Sequence, residues 1–207
     1  MKAKTCEYGK SSADIVLIQP VDDNDMSVIE NEVNEISRLT NRDFLLIAYQ
    51  ISDWNRELSP WPAPPVFGKA DFGGAAGETL SEIINLCGNA NKTYYIGGYS
   101  LAGLFALWAA TQTDRFAGVA AASPSVWFPG FIDHLKASDI KTGKVYLSLG
   151  DKEEKSKNPV MSTVGDRIRE AGEILNVKEV ACNLEWNAGN HFRDSDIRTA
   201  KAFAWLM

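Results

Sequence analysis

Short apolar runs alternate along this chain with segments of helical periodicity, and that alternation limits the possible folds more than any other feature. Six runs are strand-sized, and they lie at residues 15–18, 44–49, 93–96, 117–122, 145–149 and 181–186. Strands that are apolar on both faces and alternate with helices are typical of a parallel sheet covered on both sides. We therefore predict an α/β fold, a three-layer sandwich with a mostly parallel sheet of about six strands. At 207 residues, the chain is expected to form a single domain over residues 1–207.

The first helix of this pattern is predicted over residues 27–39. Its apolar side chains recur at spacings of four, three and three residues, which is the periodicity of an amphipathic helix. Ser27 has Glu30 three residues later, and this pair predicts a capping box at the start of the helix.

Charge and targeting signals exclude several classes of protein. The 21 basic and 27 acidic residues give a net charge of −6 with no basic stripe, so we expect no nucleic acid and no anionic membrane surface as partners. No apolar stretch approaches the roughly 20 residues of a membrane-spanning helix. Lys2 and Lys4 are not followed by an apolar run, which argues against a signal peptide. Three widely spaced cysteines, Cys6, Cys87 and Cys182, are typical of reduced thiols, so we expect a cytoplasmic protein.

The end of the strand at residues 93–96 carries a candidate nucleophile. The sequence runs Gly97-Gly98-Tyr99-Ser100-Leu101-Ala102-Gly103 and continues into an apolar helix. This is the nucleophile-elbow pattern G-x-S-x-G with alanine in the last position, and small residues two before and two after the serine avoid a collision in the sharp turn. A serine that merely caps the helix is the alternative. The position between a buried strand and a buried helix favours the nucleophile.

The chain offers two histidines as the base for this serine. His134 lies in a predicted surface helix that is tied to no strand end, and we interpret it as structural. His191 lies in the loop just after the last predicted strand. Ligands of such sheets bind beyond the carboxyl ends of the strands, so His191 is the predicted general base.

The acid that orients the imidazole is expected after the strand at residues 145–149. That strand ends at Gly150, and three acids follow in Asp151, Glu153 and Glu154. An acid three residues after the strand-ending glycine favours Glu153, with Asp151 and Glu154 as alternatives. A plain solvated charge run is the other interpretation of this segment.

An oxyanion hole needs two backbone N–H donors. The residue after the nucleophile, Leu101, supplies one. The other is expected from the loop after the first strand, where Pro20 has no N–H to donate and Val21 is the natural candidate.

With these motifs in this order, the chain resembles the α/β-hydrolase superfamily, and within it the esterases related to enterochelin esterase and esterase D. The resemblance rests on GYSLAG at 98–103, ASPSVW at 122–127, LGDKE at 149–153 and GNH at 189–191. It implies Ser100 as nucleophile, His191 as base and an acid within residues 151–154. Ala102 replaces the usual glycine. We expect a minimal, cap-less α/β-hydrolase fold without an N-terminal extension.

An aromatic loop at residues 53–67 follows a strand and is predicted to border the site. Four prolines stiffen it, and Trp54 and Trp61 offer apolar walls to a substrate, with Trp127 adding another. The alternative is a loop whose aromatic side chains only anchor it to the body of the protein.

These residues predict a serine hydrolase that cleaves a carboxylic ester of a small molecule, with a thioester or amide also open. The glycines at residues 73–77 follow no strand and lack Gly-Lys-Ser/Thr, so we expect no nucleotide. No His/Cys/Asp cluster has zinc-ligand spacing, and we expect neither a cofactor nor a metal. Two alternatives remain: an acyltransferase with the same triad, and a non-catalytic binding protein that retains the fold.

Overall fold

The computed structural model describes residues 5–207, so the expectation that rested on Lys2 and Lys4 lies outside it. The strands are β1 (Thr5–Gly9), β2 (Ile15–Val21), β3 (Leu45–Gln50), β4 (Pro62–Ala63), β5 (Phe72–Gly73), β6 (Thr93–Tyr99), β7 (Gly118–Ala122), β8 (Lys144–Gly150) and β9 (Ala181–Asn187). The helices are α1 (Asp23–Leu39), α2 (Trp54–Leu58), α3 (Ala76–Leu86), α4 (Leu101–Gln112), α5 (Phe131–Ala137), α6 (Val164–Val177) and α7 (Ser195–Leu206). Two short 3₁₀ turns cover Glu153–Lys155 and Met161–Thr163.

Seven strands form the main sheet in the order β1-β3-β2-β6-β7-β8-β9. Every neighbouring pair is parallel except β1, which pairs antiparallel with β3 at the edge. The predicted mostly parallel α/β sheet is therefore confirmed, with one strand more than the six predicted. Strand β1 escaped prediction because its residues alternate between exposed and half-buried positions and form no apolar run.

Helices cover both faces of this sheet, as the strand composition predicted. Side chains from one face pack with α1 and α7, for example Leu17 and Leu46 with Ile36 and Phe203. Side chains from the other face pack with α3, α4, α5 and α6. Helix α4 is buried almost along its whole length, so apolar side chains surround it. No helix within residues 5–207 is long and apolar enough to cross a membrane.

The predicted start of the first helix was wrong. Helix α1 begins at Asp23, and its N-cap is Asp22, whose side chain accepts the N–H groups of Asn24 and Asp25. Ser27 lies inside the helix and donates its hydroxyl to the carbonyl of Asn24. The first turn carries acidic side chains, which favour a helix N-terminus but add nothing to an apolar periodicity.

The segment between β3 and α3 is more ordered than the loop that we predicted. It contains the short helix α2 and two strands of two residues each, β4 and β5, which pair antiparallel. This segment follows the carboxyl end of β3, on the side of the sheet where β6 and β8 also end.

Candidate active site

Ser100 occupies the sharp turn between β6 and α4. Its backbone has φ 57° and ψ −118°, a conformation that costs free energy for a residue with a Cβ and that clusters at functional sites. Its N–H donates to the carbonyl of Ala122 on the next strand. A Cβ on Gly98 would lie 2.6 Å from the Cβ of Ala102. The predicted need for small residues on both sides of the serine therefore has a direct steric cause.

Three side chains meet at the carboxyl end of the sheet. His191 Nε2 lies 3.0 Å from Ser100 Oγ, and His191 Nδ1 lies 2.7 Å from Glu153 Oε2. A carboxylate can only accept, so Nδ1 donates to Glu153, and Nε2 of the neutral ring accepts the serine hydroxyl. The structure thus brings together Ser100, His191 and Glu153, the predicted nucleophile, base and acid.

The other two candidate acids point elsewhere. Asp151 Oδ1 accepts the N–H of Gly189 at 2.8 Å, so this carboxylate holds the loop that carries His191. Glu154 forms a surface ion pair with Arg169 at 3.1 Å. Of the three acids that follow β8, Glu153 is the one that contacts the imidazole.

The Glu153 carboxylate is almost completely buried, with 4% of its side chain exposed. Burial by itself raises its pKa, but the hydrogen bond and charge of His191, together with the Gly150 N–H and the Ser123 hydroxyl, outweigh burial. The pKa of Glu153 therefore lies below its ordinary value. The carboxylate stays ionised at neutral pH, as a group that stabilises an imidazolium must.

Sequence reasoning missed Arg198, which reaches this carboxylate from α7. Its guanidinium is 2% exposed, and Nη1 lies 3.0 Å from Glu153 Oε1, 3.0 Å from Tyr99 Oη and 3.2 Å from Ser123 Oγ. Burial, followed by the charge of Glu153, raises the pKa of Tyr99 to about 12, so its hydroxyl keeps its proton. The available signal was an arginine on the face of α7 that is otherwise apolar and buried.

A second serine, Ser125, lies against Ser100. Its Oγ is 3.3 Å from Ser100 Oγ, and its N–H donates to the Ser100 carbonyl at 3.0 Å. Ser125 is buried. The contact explains why the residues after β7 belong to the site, although no role for Ser125 was predicted.

The two predicted oxyanion donors differ in outcome. Leu101 is the first residue of α4, so its N–H has no partner within the helix and is free for a ligand. The backbone N–H of Val21 does not point toward Ser100. The Val21 carbonyl accepts the N–H of Ile51, just beyond β3, and in a strand the N–H and C=O of one residue point to the same side. Its N–H therefore faces β3, away from Ser100. Successive N–H groups of a strand alternate in direction, so that of Asp22, just beyond β2, turns away from β3; it donates to Asp25 Oδ2.

A cavity of about 370 Å³ opens beside His191, and its apolar lining residues are Trp127, Met161, Val164 and Phe192. Lys152 and Lys155 also line it, which adds positive charge. Trp127, one of the predicted wall residues, therefore lines this cavity.

The other two predicted wall residues lie elsewhere. Trp54 lines a separate cavity of about 1000 Å³ beside Asp22 and Tyr49. Trp61 is an anchor, because its indole N–H donates to the Pro129 carbonyl at 2.9 Å and its ring packs on Phe128 and His134. The alternative interpretation, an aromatic side chain that fastens the loop to the body, therefore describes Trp61.

His134 lies in α5, where its Nε2 is 3.0 Å from Thr111 Oγ1, and partial burial lowers its pKa. Within residues 5–207, no three His, Cys, Asp or Glu side chains are grouped so that they could hold a metal ion.

Comparison with known proteins found no matching family model and no matching curated sequence. Solved structures do match. A siderophore hydrolase, EstA from Aspergillus nidulans, aligns with a TM-score of 0.66 and 19% identity over 96% of this chain and 84% of its own. An IroE-like serine hydrolase from Shewanella oneidensis aligns with a TM-score of 0.72 and 15% identity over 97% and 74%.

The enterobactin esterase FES from Shigella flexneri aligns with a TM-score of 0.65 and 18% identity over 98% of this chain. This chain spans 54% of that larger protein. At such low identities the comparisons establish the fold, and they confirm the α/β-hydrolase architecture that the motifs predicted.

Proposed function

We propose that this protein is a serine hydrolase that cleaves a carboxylic ester through an acyl-enzyme intermediate. The observation that carries the proposal is the hydrogen-bonded chain from Ser100 through His191 to Glu153, with the serine on a strained strand-to-helix turn. The names of the structural neighbours, which include siderophore hydrolases and an enterobactin esterase, support ester cleavage.

In the first half of the reaction, Ser100 Oγ attacks the ester carbonyl carbon while His191 Nε2 takes the hydroxyl proton. The Glu153 carboxylate stabilises the imidazolium that forms. The N–H groups of Leu101 and Asp22 donate to the negative oxygen of the tetrahedral intermediate. The carbon–oxygen bond to the alcohol then breaks, and the alcohol leaves with the proton from His191.

In the second half, water attacks the acyl group on Ser100 and gives one proton to His191. The carboxylic acid leaves as that proton returns to the serine oxygen, which restores the free enzyme.

The Asp22 N–H already donates a hydrogen bond in the free protein. It donates to Asp25 Oδ2 at 3.2 Å, which is long for a hydrogen bond to a carboxylate. Burial raises the pKa of Asp25 to about 6. A substrate oxyanion that approaches Leu101 would share or replace this weak contact.

The cavity beside His191 is the proposed acyl site. Its apolar walls at Trp127, Met161 and Phe192 suit a hydrocarbon or aryl group. The two lysines that line it, Lys152 and Lys155, favour an acyl group that also carries negative charge. The proposed partner is therefore a small-molecule ester.

A fluorophosphonate probe followed by mass spectrometry tests the proposal. We expect the adduct on Ser100, and we expect Ser100→Ala and His191→Ala to abolish labelling. His134→Ala is the matched control, because it removes the other histidine and should leave labelling unchanged. Failure of the folded wild-type protein to label would refute the hydrolase and favour a binding protein.

Hydrolysis is then measured on a panel of esters that includes enterobactin, with and without added alcohols. Release of the free acid supports a hydrolase. Transfer of the acyl group to the alcohol in preference to water would identify an acyltransferase instead.

A further inference from the structure

Arg198 is a buried cation that contacts both the acid and the histidine loop of the proposed active site. Its side chain is 2% exposed, although arginine is almost never fully buried without a partner. Arg198 belongs to α7 and lies 45 residues beyond Glu153 in the sequence. The mechanism above gives this residue no part.

We propose that Arg198 is a positioning residue that orients Glu153, holds the loop carrying His191, and sets the pH at which His191 becomes a base. The kinetic consequences rest on the proposed hydrolase activity, whereas the effect on His191 itself does not.

The orientation of Glu153 follows from how its two oxygens are used. Oε1 accepts from Gly150 N–H at 2.7 Å, from Ser123 Oγ at 2.8 Å and from Arg198 Nη1 at 3.0 Å. Three donors from three different elements occupy this oxygen. Oε2 is therefore left to accept from His191 alone, and the carboxylate cannot rotate without losing buried hydrogen bonds.

The second nitrogen of the guanidinium holds the histidine loop. Nη2 donates to the carbonyls of Ala188 and Asn190, at 3.2 Å and 3.1 Å. Tyr99, which accepts from Nη1, donates its own hydroxyl to the His191 carbonyl at 2.8 Å. One planar guanidinium thus connects the acid to the loop that precedes His191 and, through Tyr99, to the His191 carbonyl, and a lysine ammonium could not reach both sets of acceptors.

The charge of Arg198 has a separate effect. A positive charge 3.0 Å from Glu153 offsets part of the negative charge that favours the protonated form of His191. Removing it while Glu153 stays ionised strengthens the imidazolium. The acidic limb of activity is therefore expected to move to higher pH.

Other charged and titratable groups surround His191 and Glu153, and a substitution at Arg198 leaves their identities unchanged. They are Tyr99 from β6, Asp151, Lys152 and Lys155 after β8, and the Arg193–Asp194 ion pair beside the histidine loop. Arg198→Lys keeps the charge but loses the guanidinium geometry, so an effect that comes from movement of these groups with the loop appears in that variant as well.

The direct test is an NMR titration of the histidine side chains, with His134→Gln used to assign the two signals. In Arg198→Met we expect the midpoint of the His191 signal to lie at higher pH than in wild type. In Arg198→Lys, which keeps the charge, we expect the midpoint to stay at its wild-type position. An unchanged or lowered midpoint in folded Arg198→Met overturns the proposal. Arg198→Gln is the substitute if the methionine variant does not fold.

Kinetics test the positioning role. For Arg198→Met we expect the acidic limb of kcat/KM to move up with His191 and kcat to fall at least about tenfold. KM should change less than about twofold, because Arg198 does not line the cavity beside His191. Arg198→Lys should lower kcat without moving the limb. A rise in KM that accounts for the loss would contradict the positioning role.

Lys201→Met is the matched control, because it also removes a cation from α7. The Lys201 ammonium contacts Glu185 and Asn187, not Glu153 or the histidine loop. This variant should leave the His191 midpoint and the acidic limb unchanged. The hydrolase proposal and the Arg198 proposal can be refuted independently of each other. Wild-type protein that is inert toward the serine probe refutes the hydrolase, while the histidine titration still decides the effect of Arg198.

Discussion

The substitution Gly98→Ala tests whether the nucleophile turn depends on steric fit. A Cβ at Gly98 would lie 2.6 Å from the Cβ of Ala102 and 3.3 Å from its carbonyl carbon. Unstrained carbon contacts lie at about 3.5–4.0 Å, so the first contact is roughly 1 Å too short. Neither partner is a flexible side chain that could turn aside, so the backbone of the turn must move.

The expected cost follows from that overlap. Overpacking a buried site by one methyl group costs about 1–3 kcal/mol, and we expect Gly98→Ala to lower the free energy of unfolding by that amount. Ala102→Gly removes the colliding methyl group at a helix-propensity cost of about 1 kcal/mol. The double variant should then be more stable than the sum of the single changes predicts, by about 1 kcal/mol or more.

Urea unfolding of the four proteins in this cycle measures the coupling, and the rate of fluorophosphonate labelling reports the position of Ser100. Gly77→Ala is the control, since a Cβ there meets nothing within 4 Å and α3 should gain slightly in stability. A Gly98→Ala protein as stable as wild type, or single changes that simply add, would refute the steric explanation.

Five further substitutions form three tests of the site and the core. Glu153→Gln should lower kcat by about 10²- to 10⁴-fold. Asp151→Asn should cost less than about tenfold, because its amide oxygen still accepts the Gly189 N–H; the reverse order would move the acid assignment. Trp127→Ala should raise KM for esters with apolar acyl groups, whereas Trp61→Ala should lower Tm and leave KM unchanged; equal effects on KM would contradict the assigned wall and anchor. Burial holds the pKa of Glu32 well above its ordinary value of 4.5, so the folded state keeps a proton that the unfolded chain has lost, and stability falls as pH rises above about 4.5. Glu32→Gln should reduce that fall in urea unfolding measured from pH 4 to 8, and an unaltered pH dependence would count against a buried, protonated Glu32.

Local patterns were enough to predict the architecture and to place Ser100 and His191 at one edge of the sheet. Strand-sized apolar runs and helical periodicity are properties of neighbouring residues. The turn at Ser100 is likewise specified by seven consecutive residues, 97–103. His191 could be predicted from its place after the last strand, because parallel strands end at one edge of the sheet.

Spacing from Gly150 favoured Glu153 as the acid but left Asp151 and Glu154 as alternatives. Asp151, Glu153 and Glu154 all follow β8, and the direction of each side chain depends on partners far away in sequence. Asp151 contacts Gly189 and Glu154 contacts Arg169, which leaves Glu153 for His191.

By itself, the sequence determined the parallel α/β sheet, the serine on its turn and the histidine beyond the last strand, because these depend on short-range periodicity and strand order. Only the tertiary structure decided that the Val21 N–H faces β3, that Trp61 is an anchor, and that Arg198 joins the acid to the histidine loop. The direction of a backbone N–H and the partner of a buried charge depend on chain segments that lie next to each other in the fold and far apart in the sequence.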